Sequence, residues 1–485
     1  MVTRSSATQF LILAFFVLYG ASTCTHTAAQ ELLKGFRATP NPSVSSFQSL
    51  LNDSTGNFSL GFLRINRTQL ALAILHVKSS EPLWLANQAT LARWHDRTQL
   101  IFNGSLVVSD PDEGVFWSTG TQGDRVVLLN TSNLQIRKLD NPLSVLWQSF
   151  DFPSNTIVEN QNFTANMSLV SSNGMYSMRL GDNFMGLYAK FNEGTDQIYL
   201  KHRALQAKQT IIEGIPIYAR VNPDGFLGMY QTGNTPVDIE PFMSFNSFQS
   251  SDNGFLMVRL EPDGNLKGYN WDGSDWDLNY QAIRDQCELP NPCGSYGLCL
   301  PGEGCTCLDN RTDFHSGECF APQSGNFCEE GEAKNDFWIL RRNGVALPFS
   351  EWMIYETVSS LDQCETICDG NCSCWGAVYN NASGFCYLVH YPIQSLVGVG
   401  DLSKVGYFKV RTIAEKKREV GSGVGFGILG LAILGMIGAI GFGSYRVWSR
   451  RRRDSRILEE EGGLSPGPYK DLGSASFRSI EMSNR

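Results

Sequence analysis

Residues 146–153 read Leu-Trp-Gln-Ser-Phe-Asp-Phe-Pro and close a long stretch of chain that starts at about Glu31. Working back from them, short apolar runs recur at Val126-Val127-Leu128-Leu129, Ser105-Leu106-Val107-Val108, Leu83-Trp84-Leu85-Ala86 and Phe58-Ser59-Leu60-Gly61-Phe62. Asn, Asp, Gly and Ser cluster between the runs, which is how strands alternate with turns. No segment here sustains a helical period, so the stretch reads as an all-β domain.

The whole chain has 485 residues, which at roughly 100–200 residues per domain implies about three or four units. An apolar fraction of 42% with ten Trp supports real cores and excludes wholesale disorder. A net charge of −9 argues against a nucleic-acid partner, which would need a basic field facing phosphate. Of 13 cysteines, Cys24 stands alone, and the rest lie between Cys287 and Cys386.

Residues 1–29 read as a secretory signal peptide. Arg4 supplies the basic start, Phe10–Tyr19 is an apolar core too short to span a bilayer, and Thr27-Ala28-Ala29 offers small residues for cleavage. Cleavage removes Cys24 and leaves an even number. Residues 421–445 contain no Asp, Glu, Lys or Arg; as a helix they would be about 37 Å long, enough to cross a hydrocarbon core of about 30 Å. Arg446, Arg450, Arg451, Arg452, Arg453 and Arg456 follow, which puts the C-terminus in the cytosol. The expectation is a single-pass type I plasma-membrane protein with its N-terminus outside. Within the span, Gly425-Phe426-Gly427-Ile428-Leu429-Gly430 matches a dinucleotide pattern but lacks the strand before it and is rejected. The tail, 446–485, is polar and Ser-rich, with no room for a kinase. Asn-x-Ser/Thr sequons start at Asn52, Asn57, Asn66, Asn103, Asn130, Asn162, Asn166, Asn310, Asn371 and Asn381, all on the side of the span assigned to the lumen.

Four ordered blocks carry a family resemblance: Gly56-Asn57-Phe58-Ser59-Leu60-Gly61-Phe62, Trp84-Leu85-Ala86-Asn87, Phe116-Trp117-Ser118 and the stretch 146–153. They resemble the bulb-type lectin domain of the plant S-locus glycoproteins and S-domain receptor kinases. The resemblance implies a β-prism of three small sheets over residues 30–152, with its tryptophans packed in a pseudo-threefold core. The family's mannose site uses Gln-x-Asp-x-Asn-x-Val-x-Tyr. Here the stretch from Ile101 to Ser109 keeps only Val107 and carries the sequon at Asn103, and that from Leu129 to Arg137 keeps only Asn133. Mannose binding is not expected at either.

Residues 153–283 continue as β, with Tyr176–Leu180 and Gly186–Phe191 as strand candidates, and resemble the second lectin-like unit of the same receptors. Glu261-x-Asp263-x-Asn265-x-Lys267-x-Tyr269 keeps three of the five mannose positions, so Asp263, Asn265 and Tyr269 are the candidate carbohydrate ligands. Asp263-Gly264-Asn265 also reads as an ordinary hairpin turn.

The cysteines fall into two modules. In the first, 284–320, Cys287, Cys293, Cys299, Cys305, Cys307 and Cys319 sit among Pro and Gly, as in a disulfide-stapled module without a large core. Six cysteines allow 15 pairings. Their order, with Asn291-Pro292-Cys293-Gly294, resembles an EGF-like repeat, which implies Cys287–Cys299, Cys293–Cys305 and Cys307–Cys319. A zinc knuckle at Cys305-x-Cys307 is disfavoured in an oxidising compartment without paired histidines. Asp285-Gln286 is only part of a calcium-binding signature, so no metal and no cofactor are expected.

In the second module, 328–411, Ser360-Leu361-Asp362-Gln363 reads as a capping box, with Gln363 reaching back to Ser360. The helix it opens puts Cys364 and Cys368 on one face. Asn371-Cys372-Ser373-Cys374-Trp375 and Gly384-Phe385-Cys386 resemble the plant PAN/apple domain. That resemblance implies Cys364–Cys386 and Cys368–Cys374, and leaves Cys328 with Cys372.

His26, His76, His95, His202, His315 and His390 fall in no metal or catalytic pattern, and His95-Asp96 reads as an exposed turn. The fold expected is therefore mainly β: a β-prism, a second β unit, disulfide-rich EGF-like and α+β PAN modules, and one membrane span. The function expected is a receptor-like glycoprotein without a kinase, recognising protein or carbohydrate outside the cell as co-receptor, decoy or scaffold. Its expected partners are the membrane, a receptor kinase or a second copy through the PAN and EGF-like modules, and a cell-wall glycan. A wall-associated carbohydrate-binding protein is the rival reading.

Overall fold

The computed structural model describes residues 30–411, apart from 142–143, 191–195, 205–209, 242–253, 309–312, 316–317, 321–326, 329–336, 391–392 and 394, together with 441–448. The expected signal peptide, residues 421–440 of the expected span, tail residues 449–485 and the sequon at Asn310 lie outside the described residues. Two compact units divide the chain at Thr412. In the second, residues 441–448 are helical. Among the described residues no helix is long and apolar enough to cross a membrane. All that follows concerns the first unit, which is mainly β.

Residues 31–148 fold as three antiparallel sheets around one core. One runs Phe47–Asn52, Phe58–Arg64, Gln69–His76, Glu81–Leu85, with Ala92–Arg93 added beside Gln69–His76. Another runs Gly114–Ser118, Leu106–Asp110, Gln99–Phe102, Phe36–Ala38, and the third Glu31–Leu33, Arg125–Leu128, Leu134–Arg137, Val145–Gln148. The strands follow from alternation: in Leu106–Asp110 every second residue is buried, the period of a pleat with one covered face. Each sheet ends on a strand that carries a tryptophan. Trp84, Trp117 and Trp147 meet edge to face, with ring centroids 5.8–5.9 Å apart, so one aromatic from each sheet closes the axis. Phe152 stacks on Trp147, and its carbonyl accepts the Trp84 Nε1–H at 2.7 Å. The stretch 146–153 thus supplies part of the core and the strap across it.

Residues 156–281 repeat the plan with three four-stranded sheets. They are Thr156–Val158, Phe255–Leu260, Leu266–Trp271, Trp276–Gln281; then Asn162–Phe163, Tyr218–Asn222, Phe226–Tyr230, Asp238–Pro241; then Leu169–Val170, Tyr176–Leu180, Phe184–Ala189, Gln197–Arg203. The inner faces form their own core around Phe163, Met178, Leu187, Val221 and Leu266. The first of these sheets is covered on its other face too. Val158, Phe255, Met257 and Trp271 belong to the core of the first prism, and Arg259 donates to Thr156, to the Pro82 carbonyl at 2.8 Å and to the Glu81 carboxylate.

The last region is a five-stranded sheet, ordered Phe337–Asn343, Lys404–Arg411, Cys374–Asn380, Phe385–His390, Glu356–Thr357, with the helix Leu361–Gly370 against it. Ser360 caps that helix by accepting the Gln363 N–H. Gln363 reaches back to Ser359 rather than to Ser360: with Ser360 extended (φ −153°, ψ 161°), Ser359 presents both its N–H and its hydroxyl to the Gln363 amide, each at 3.0 Å. The cysteine-rich hairpin Gly297–Leu300 and Gly304–Cys307 joins this region directly. Leu298 and Cys299 pair in parallel with Leu396 and Val397, and Val345–Ala346 completes the sheet.

Candidate recognition site

The best match to the mannose pattern lies on the hairpin between Phe255–Leu260 and Leu266–Trp271, and its side chains are bonded to the protein itself. Asn265 is 2% exposed. Its Oδ1 accepts the Ile283 N–H at 3.0 Å and its Nδ2 donates to the Ile283 carbonyl at 2.7 Å, pinning the chain after the next strand to the turn. Asp263 Oδ1 accepts the Asn265 N–H and its Oδ2 accepts from Lys267 Nζ, each at 2.8 Å. The Tyr269 hydroxyl donates to Glu261 at 2.7 Å, and burial together with that bond pushes its pKa well up, so it stays a protonated donor. In the earlier repeat Asn133 plays the part of Asn265: it holds Gln148 at 2.9 Å and accepts from Ser149. The Asn shared by the two hairpins has a structural task in both.

Among the described sequons, Asn66, Asn103, Asn130, Asn162, Asn166 and Asn381 are exposed, while Asn52, Asn57 and Asn371 are half-buried. Asn66, Asn103 and Asn371 each accept the N–H two residues on, the turn geometry that Asn favours. Asn103 stands at the Gln99–Phe102 to Leu106–Asp110 hairpin, where the first mannose pattern would lie. His95 opens a turn, its carbonyl accepting the Thr98 N–H at 3.3 Å, with Asp96 and Arg97 exposed. Its ring is half-buried: Nδ1 accepts the Arg97 and Thr98 N–H groups, and Nε2 sits 3.4 Å from Asp110 Oδ2.

Six disulfides are present: Cys287–Cys299, Cys293–Cys305 and Cys307–Cys319 in the first module, and Cys328–Cys372, Cys364–Cys386 and Cys368–Cys374 in the second. Cys364 and Cys368 share a helix face and reach Phe385–His390 and the start of Cys374–Asn380, so two bonds fasten the helix to the sheet. Glu365 adds a two-pronged ion pair with Arg341 on a neighbouring strand. Lys409 is 2% exposed; its Nζ donates to the Cys368 carbonyl at 2.9 Å, and burial lowers its pKa. Among the described residues the only group of metal-ligating type is Cys293, Cys299 and Cys305, whose sulfurs are already in disulfides.

Sequence patterns carried no sign of the contacts between modules. Arg259 and Glu81 lie 178 residues apart, and neither falls in a motif. The same holds for His76, 4% exposed, which is boxed by Phe58, Phe255, Trp271 and Trp276.

Two prisms, a cystine-rich hairpin and a helix-on-sheet module define a class of binding protein assembled from lectin-type and PAN recognition modules. Three domain families match in that order: the D-mannose binding lectin at residues 82–179, the S-locus glycoprotein domain at 226–311 and the PAN domain at 349–407. The chain belongs to the plant family of PAN domain-containing proteins that carry these lectin-type domains, being 53% identical to the PAN domain-containing protein At5g03700 of Arabidopsis thaliana over 99% of each chain. It is also 25% identical to the Arabidopsis thaliana G-type lectin S-receptor-like serine/threonine-protein kinase SD2-5, over 92% of this chain and 57% of the kinase. It thus spans little more than half of that relative. EP1-like glycoprotein 4 of the same plant is 25% identical over 78% of this chain and 88% of its own.

Proposed function

We propose that this chain is a single-pass cell-surface glycoprotein that works by extracellular recognition, as co-receptor, decoy or scaffold beside a kinase-bearing partner. The observation that carries the reading is the joining of three recognition modules into one body. The two prisms share a core, and the cysteine-rich hairpin completes a sheet with PAN-module strands. The rigid surface so formed suits binding and has no catalytic constellation among its described residues. The apolar span 421–445 with its arginine flank, the sequons and the likeness to S-receptor-like kinases support the membrane setting. A wall lectin using Asp263, Asn265 and Tyr269 is the weaker reading, because Asp263 and Tyr269 are bonded within their own hairpin and Asn265 is spent on Ile283.

Proximity labelling from the full-length chain in its home tissue tests the reading. Repeated recovery of a receptor kinase supports it. Labelling confined to soluble wall proteins, or to cytosolic ones, sinks it.

A further inference from the structure

A cleft of about 600 Å³ opens on the first prism, and none of Asp263, Asn265 and Tyr269 lines it. Arg67, Gln69, Leu91, Arg93, Trp94 and Glu113 do, from the turn before Gln69–His76, the added strand Ala92–Arg93 and the turn before Gly114–Ser118. That volume falls in the range of ligand pockets, about 300–1,000 Å³. Register brings two of these side chains together: Gln69 pairs with Arg93 across the antiparallel ladder, where opposite residues share a face. The Thr68 carbonyl accepts the Trp94 N–H at 2.7 Å, and the Trp94 Nε1–H donates to the Asn41 carbonyl at 3.3 Å. Glu113 then fixes Arg93 by pairing with its Nε at 2.6 Å. The turn carrying Glu113 is itself tied by the buried Asp110 carboxylate, which accepts the Asp112 and Glu113 N–H groups at 2.9 and 3.4 Å. Arg93 is therefore oriented before a ligand arrives, which spares part of the ordering cost of binding.

The groups left open on this wall are hydrogen-bond donors. With Nε on Glu113, the Arg93 Nη nitrogens make no hydrogen bond to any described residue. Arg67 is exposed and has no ion-pair partner among the described residues, and Gln69 uses only its Oε1, which accepts from Asn66 at 2.6 Å. The acceptors beside them are engaged, Glu113 by Arg93 and His95 Nδ1 by the Arg97 and Thr98 N–H groups. Of the other carboxylates nearby, Asp112 is paired with Arg97, and Asp110 holds its turn and faces His95. Two arginines thus meet one carboxylate in the cleft, although the chain carries a net charge of −9. Such a wall selects a ligand that brings acceptors and negative charge, and arginine pairs most strongly with carboxylates. A neutral polyol, with donors as well as acceptors, gains less here. Leu91 and Trp94 add apolar surface beside the charges, and the Arg64 guanidinium stacks 4.3 Å from the Trp94 ring. We propose that the cleft docks an acidic segment of a partner protein. Its carboxylates reach Arg67 and Arg93, a main-chain carbonyl meets Gln69 Nε2, and an apolar side chain covers Leu91. The proposal rests on the recognition reading above and gives the partner a chemistry.

Titration calorimetry on the full-length chain in neutral detergent tests it. The probes are an end-blocked peptide alternating glutamate with leucine, its glutamine counterpart, and an oligogalacturonate as an acidic ligand that is not a protein. Saturable binding of the glutamate peptide is expected, with none of the glutamine peptide. Arg67→Gln and Arg93→Gln should each weaken it about tenfold, the loss of one charge-assisted pair. Arg97→Gln removes an exposed arginine that does not line the cleft and should leave the affinity unchanged. Thermal melts check that each variant is folded, and if one cleft variant is not, the other decides. No binding of the glutamate peptide, equal loss in Arg97→Gln, or binding of the oligogalacturonate alone overturns the proposal. Asn66, a sequon, stands beside Arg67, so the enzymatically deglycosylated chain is titrated too. Binding by that form alone also overturns it, since a cleft covered by its own glycan meets no partner. None of these outcomes touches the proximity-labelling experiment, which uses the unaltered chain in its tissue and fails independently.

Discussion

Asn265 shows why a pattern residue persists where the ligand pattern has decayed. Its amide closes two hydrogen bonds on Ile283 in a site shut off from water. Removing it strands a buried N–H and a carbonyl, each unpaired group costing about 1–3 kcal/mol. Asn265→Ala is therefore expected to lower stability by at least about 2 kcal/mol in urea denaturation. Asp263→Ala, which breaks a partly exposed ion pair, should change it by less than about 1 kcal/mol. Equal effects would contradict the assignment of a structural role to Asn265. His76 gives a pH-dependent test. Burial and the nearby Lys78 hold its pKa below 6.5, so folding favours the neutral ring. That contribution is complete above pH 6.5 and is lost as the pH falls through the lowered folded value. The melting temperature should fall between about pH 8 and about pH 5, and His76→Phe should flatten part of that fall; an unchanged slope would remove His76 from the account.

At the scale of elements, sequence legibility tracked sequence distance. Leu106–Asp110 and Tyr176–Leu180 alternate cleanly, and the Ser360 cap lies beside its helix, so local physics announces all three. The pairing of Leu298 with Leu396 joins segments about a hundred residues apart and depends on where two modules meet, which no local pattern encodes. The candidate ligands were visible as residue types, but the burial of Asn265 was not, since Ile283 lies 18 residues beyond it. Disulfide loops give a graded test. Cys368–Cys374 closes a separation of 6 residues and Cys328–Cys372 one of 44. On chain-entropy grounds, replacing the first pair by alanine should cost about 2 kcal/mol and the second about 4 kcal/mol. The reverse order in denaturant melts would mean that the short bond, packed under the helix, acts through the core rather than through the unfolded chain.

For the whole molecule, the decisive feature is that the prisms are not beads on a string. Val158, Phe255, Met257 and Trp271 come from the second prism yet complete the core built on Trp84, Trp117 and Trp147. Trp271 is 6% exposed and sits edge-on to His76 at 5.1 Å, while Arg259 reaches Glu81 and the Pro82 carbonyl from the same sheet. Separating the prisms would expose aromatic surface on both and strand the Arg259 guanidinium, so neither loses its partner without loss of stability. The two should unfold together, in one calorimetric transition. Trp271→Ala leaves a cavity in the shared face and is expected to cost about 3–5 kcal/mol. Because that loss falls on the core the two prisms share, it should also weaken their coupling and split the transition. Two transitions already present in the unaltered chain would show instead that the shared core does not couple the prisms.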